Sequence, residues 1–164
     1  MSDLPTYELE RVFDAPRGLV WKAWTDPELL PRWYGPKVEM IIHRLEVKPG
    51  GLWLGEMKWG DKSNYQRVEY TEVSSPERLV WLHSVSDADW NIISNPVMED
   101  WPRVLLTTVT FEQDGAQTKM RLTWVPHEAR DSEIACFAAA LKAMDKGWGA
   151  GMELLAELLA ELQA

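Results

Sequence analysis

From Asp131 to Leu162 apolar residues recur at steps of three and four: Ile134, Phe137, Leu141, Met144, Trp148, Met152, Leu155, Leu159 and Leu162. On an α-helix these positions fall on one face. Such a helix would be about 46 Å long, against a radius of gyration of only about 15 Å for a compact chain of this length. It must cross the whole molecule or run past it. Nearly everything upstream reads as strands, and a sheet needs an apolar partner for one face. The C-terminal helix is therefore expected to be that partner.

Its middle carries Gly147, Gly149 and Gly151, each costing about 1 kcal/mol against Ala in a helix interior. Small residues beside Trp148 and Met152 can leave room for a ligand between helix and sheet. Two other readings stay open: tight backbone packing, or a break into two helices. The run from Gly147 to Gly151 looks like a nucleotide-binding loop only superficially, because it lies within a helix and not at a strand-to-helix turn.

Upstream, Tyr7 to Phe13 alternates imperfectly and reads as a first strand. Pro16 suits the entry to a short helix with Leu19, Val20, Ala23 and Trp24 inward. Asp26-Pro27 starts a second short helix, with Leu29, Leu30 and Trp33 inward, and Gly35-Pro36 ends it. Strands follow over 38–47, 52–59, 65–73, 79–85, 104–112 and 118–125, with turn signals at Pro49-Gly50-Gly51, 60–64, Ser75-Pro76-Glu77 and Asp114-Gly115. Consecutive hairpins imply an antiparallel meander. Between two of these strands, residues 86–102 lack periodicity yet hold Trp90, Ile92, Ile93, Val97, Met98 and Trp101. That loop is expected to pack, either as a lid over one end of the gap between sheet and helix or as a filler of the core edge. The architecture is α+β: one domain spanning residues 1–164, a curved antiparallel sheet of about seven strands wrapped around the last helix, with two short helices after the first strand.

Length and composition suit one such domain, since 164 residues at 46% hydrophobic can bury a sizeable core. The net charge of −9 is concentrated in 86–102, which has four acids and no Lys or Arg, and in the last helix. A phosphate backbone or anionic membrane needs a basic footprint, so neither is an expected partner. Cys136 is the one cysteine, which excludes an intramolecular disulfide and suggests a small buried hydrophobe. No opening segment resembles a signal peptide and no run approaches 18 apolar residues, so the expected location is cytoplasmic. The long helix and acidic tail permit a homodimer without requiring one.

Several blocks resemble a known superfamily. They are Phe13-Asp14-Ala15-Pro16, Val20 to Pro27, Leu30 to Pro36, Lys48-Pro49-Gly50-Gly51-Leu52-Trp53, Pro76 to Val80, Val109 to Glu112, and Lys146-Gly147-Trp148 with the leucine-rich tail. In order over about 7–162, they resemble the SRPBCC superfamily, and within it the branch named after the activator of the heat-shock-chaperone ATPase. The resemblance implies a helix-grip fold, similar to the birch-pollen-allergen and steroid-transfer domains, with a deep cavity between a seven-stranded sheet and the long helix. It implies no single activity, because related domains bind lipids or hormones, close polyketide rings or assist a chaperone.

The residues themselves show no zinc-protease helix, no Gly-x-Ser-x-Gly elbow and no Walker loop. His43, His83 and His127 are scattered, so no catalytic residue, metal site or cofactor is expected. Alternation places Trp53, Met57 and Trp59 on one face with Gly55 between them, and Met120, Leu122 and Trp124 on another. Over 79–85 both alternating sets are apolar, leaving open which way His83 points. The candidate ligand-binding set is Trp53, Met57, Trp59, His83, Trp124, Trp148 and Met152, with Trp90, Met98 and Trp101 as lid candidates. Ten tryptophans offer large flat apolar surfaces, though they can also simply fill the gap. Three functions are weighed. The first is binding of an apolar, aromatic or lipid-like small molecule. The second is a cyclase- or aromatase-type enzyme using His83 or an inward Arg67 or Glu69. The third is a chaperone-binding partner, ranked last because the founding activator has a further domain not found in these residues.

Overall fold

The computed structural model describes residues 4–35 and 38–164. Strand β1 (Tyr7–Phe13) leads into helix α1 (Arg17–Thr25), and six strands then run as a meander: β2 (Glu39–Leu45), β3 (Leu52–Trp59), β4 (Lys62–Ser74), β5 (Arg78–Ser86), β6 (Val104–Asp114) and β7 (Gln117–Pro126). Helix α2 (Asp131–Leu162) closes the chain. All neighbours are antiparallel in one seven-stranded sheet of order β1-β7-β6-β5-β4-β3-β2. Bulges between Ile42 and Arg44 in β2, and between Tyr70 and Glu72 in β4, interrupt the pairing. Bulges sharpen twist and bend a strand, which lets the sheet curl around α2.

The second short helix is reduced to a single 3-10 turn, Leu30–Arg32. The Asp26 carboxylate accepts from the amide of Glu28 at 2.8 Å, and the Asp26 carbonyl accepts from Leu29 and Leu30. Pro31 then has no N–H to give to an α-helical ladder and disfavours helical backbone at the residue before it. The turn therefore tightens instead of propagating. Pro36, expected to end this helix, lies outside the described residues. At the β2–β3 turn, Gly50 has φ +80°, and a Cβ on Gly51 would stand 2.1 Å from the carbonyl oxygen of Glu46. Only glycine fits there.

Alternation sets the two faces of the sheet. Trp53, Val68, Tyr70, Trp81, Phe111, Met120 and Leu122 are buried on the concave face toward α2. Arg67 and Glu69 point the other way and pair with each other at 3.8 Å on the convex face, so neither enters the interior. Helix α2 is continuous through its glycines. Phe137 is buried near its start and Met152, Leu155, Leu158 and Leu159 near its end, whereas Leu141, Met144 and Trp148 are only half-buried. Among the described residues no helix is long and apolar enough to cross a membrane.

A cleft between sheet and helix as candidate functional site

The half-buried stretch of α2 marks where helix and sheet part. A cleft of about 420 Å³ lies there, within the range of small-molecule sites. Trp33, Tyr34 and Gly35 after the 3-10 turn form one wall. Met57 of β3, Gln66 of β4, His83 of β5 and Trp124 of β7 form the floor, and Ala143, Met144, Gly147, Trp148 and Gly151 the helical roof. Among the described residues that line it, none carries a charged side chain.

Of the residues expected from sequence, Met57, His83, Trp124 and Trp148 line the cleft together. Trp53 and Met152 do not: both are buried in the core, Trp53 with its ring edge-on to Tyr34 at 4.9 Å. Trp59, at the end of β3, is 40% exposed and stands away from the cleft. No residue of the loop between β5 and β6 is among those lining the cleft. Trp90 packs on His43 at 5.2 Å and Tyr65 at 5.5 Å, over the convex face. Trp101 packs on Phe137 at 5.6 Å, and Met98 is largely exposed. The face alternation of the tryptophans was readable, but which of them meet open space depends on where the helix lifts from the sheet.

Sequence reasoning missed Tyr34 and Gln66. Gln66 did carry a signal, as the one polar side chain in the inward series Gln66, Val68, Tyr70. It is only 2% exposed, and Tyr34 Oη donates to its Oε1 at 3.3 Å. That contact leaves the amide's N–H side free: Nε2 is buried without a hydrogen-bond partner among the described residues, as is Nδ1 of His83. Buried polar atoms are rarely left unpaired. Burial pushes the His83 pKa down to about 4, because the low-dielectric surroundings disfavour the charged ring. Burial likewise raises the Tyr34 phenol well above its ordinary value. At neutral pH all three groups are uncharged.

The aromatic walls pack against one another. The Trp124 and Trp148 rings meet edge to face at 5.3 Å, Tyr34 meets Trp148 at 6.0 Å, and Trp148 stacks on the buried Trp24 at 6.5 Å. Trp33 is fixed from behind by its indole N–H, which donates to the Ala23 carbonyl at 2.9 Å. On the roof, a Cβ added to Gly147 would meet nothing within 4 Å. Gly147 is an exposed residue of the cleft lining, and its missing side chain leaves no packing contact unmade.

The profile of a family described as "Activator of Hsp90 ATPase homolog 1-like protein" matches residues 14–160. No curated protein matches. Solved structures with the same fold include Ms6760 from Mycobacterium smegmatis, at 21% identity over 96% of each chain with a TM-score of 0.76. A protein from Arthrobacter aurescens shares 23% identity over 98% of this chain and 90% of its own, with a TM-score of 0.80. DynU16, described as a protein of the dynemicin biosynthetic locus, shares 19% identity over 94% of this chain and 47% of its own, with a TM-score of 0.62. These likenesses show the helix-grip fold.

Proposed function

Because this chain belongs to the Activator of Hsp90 ATPase homolog 1-like family and opens a cleft where its helix parts from its sheet, we propose that it binds an apolar or aromatic small molecule there. The observation that carries this reading is Gly147. A helix interior gains about 1 kcal/mol from Ala over Gly, the position has room for the methyl group, and yet the residue in the cleft lining next to Trp148 is glycine. Stability is forgone where the space is useful to a ligand.

An enzymatic role in the same cleft ranks second. It requires a group that exchanges a proton near neutral pH, whereas His83 stays neutral down to about pH 4 and no carboxylate or guanidinium is among the described residues of the cleft lining. A chaperone-binding role, suggested by the family's description, ranks third, and stimulation of ATP hydrolysis by the cognate chaperone would restore it.

The test is displacement of an environment-sensitive apolar dye from wild type and from Gly147→Phe, whose ring would occupy the cleft. Wild type is expected to bind the dye and release it to a competing ligand, and the variant to bind at least tenfold more weakly. Equal binding by both proteins would place the dye elsewhere and remove the cleft as the site. Where the variant loses the dye as expected, native mass spectrometry of gently purified wild type is expected to identify the ligand's class, as a mass lost on denaturation.

A further inference from the structure

Resting on the binding reading above, we propose that the cleft selects an uncharged aromatic molecule bearing a hydrogen-bond-accepting oxygen, a ketone-type carbonyl, which takes up the free amide N–H of Gln66. Three observations converge on this class. Among the described residues the lining holds aromatic and aliphatic walls and no charged side chain. Within those walls, Gln66 is almost fully buried, its Oε1 is engaged by Tyr34, and its Nε2 has no partner among the described residues. A second unpartnered polar atom, Nδ1 of His83, lies on the adjacent strand.

The strand register sets the spacing of the two polar points. Gln66 pairs with Val85 and Val68 with His83, so Gln66 and His83 are diagonal neighbours on the concave face, roughly 7 Å apart at Cβ. Between aromatic walls, a flat ligand can present one oxygen to Gln66 and a second polar atom toward His83. A neutral imidazole can donate or accept, so the second position tolerates either kind of group. With Oε1 engaged by Tyr34 in this orientation of the amide, the remaining Nε2 donates and calls for an acceptor on the ligand.

Charge is selected against. An anionic carboxylate in this lining would lose hydration and find no cation in return among the described residues. The protein's net charge of −9 adds a long-range repulsion. Fatty acids and other carboxylates are thereby disfavoured relative to neutral molecules of the same size.

Three probes of matched shape separate the contributions: acetylnaphthalene, ethylnaphthalene and naphthoate, titrated by tryptophan fluorescence and confirmed by calorimetry. One hydrogen bond of about 1 kcal/mol predicts that the ketone binds roughly fivefold tighter than the hydrocarbon. The carboxylate is expected to bind weakest. Gln66→Leu, similar in volume, should erase the ketone's advantage while keeping the affinity for ethylnaphthalene, and that retained affinity reports that the variant is folded. Equal binding of ketone and hydrocarbon by wild type overturns the proposal without any variant, as does an advantage that survives Gln66→Leu. Either result leaves the cleft as an apolar site. If none of the three binds, the binding reading itself fails.

Discussion

His83 has a neutral ring because of where it sits, not because of a charged partner, and that makes its contribution to stability depend on pH. Its pKa is about 4 in the folded chain against about 6.5 when unfolded. Between these values the unfolded chain binds the extra proton, so stability is full above about pH 6.5 and falls as pH drops toward 4. From pH 7 to pH 5 the loss is at most roughly 2 kcal/mol, reduced to the extent that water in the cleft reaches the ring. Urea midpoints at the two pH values should show this difference in wild type and not in His83→Phe. An equal difference in both would assign it to other groups. Gly147→Ala belongs to the same scale and has the opposite sign. With nothing for the methyl group to strike, the variant should gain about 1 kcal/mol, or roughly 3 °C in Tm. An unchanged or lower Tm would mean that helix preference is not what this glycine sacrifices. Both residues were visible in the sequence as oddities. Their directions were not, because both alternating sets of β5 are apolar and a glycine has no side chain to betray its face.

At the level of elements, α2 is held at its start by one buried acid. Glu133 accepts from the amide of Arg130 at 2.9 Å, closing the helix's own first turn, and from the amide of Arg103 at 2.9 Å, just before β6. Burial raises its carboxyl, but these backbone bonds and the Arg130 side chain outweigh that and hold it below the usual glutamate range. Glu133→Ala strips two backbone donors of their partner at once, with an expected loss of about 2 kcal/mol. Glu133→Gln, which keeps one acceptor oxygen, should lose about half as much, and thermal melts of the two variants check the order. Such an anchor suits a helix whose middle stands off the sheet, since it must be fixed at its two ends. The strands and both ends of α2 were legible from periodicity, because each has a face whose burial dictates the pattern. The second short helix was not, because Pro31 acts through a missing donor that a periodic pattern does not register.

For the molecule as a whole, cleft and core share the same aromatic cluster, so filling the cleft should stabilise the entire domain. A ligand at a hundred times its Kd contributes about 2.7 kcal/mol to folding, which for a chain of this size raises Tm by roughly 5 to 10 °C. Acetylnaphthalene should produce such a shift in wild type and little in Gly147→Phe. A shift of the same size in both would place the ligand outside the cleft. Ten tryptophans left the sequence divided between a filled gap and an open one. The fold uses them both ways. Trp24, Trp33, Trp53 and Trp81 are at most 1% exposed, while Trp124 and Trp148 face the opening, and Trp33 also shows one side to it.

What the sequence determined by itself was the architecture. The nine-position apolar stripe of α2 and the alternation of the strands each bury one face in only one way, and hairpin glycines such as Gly50 and Gly51 fix the connections between them. What tertiary structure alone decided was the site. Cleft lining depends on where α2 departs from the sheet and on which direction β4 and β5 present Gln66, Arg67, Glu69 and His83. Those are properties of two surfaces brought together across the molecule, with His83 and Trp148 far apart in the chain. Local patterning records which residues prefer to be buried. It does not record what they will find on the other side.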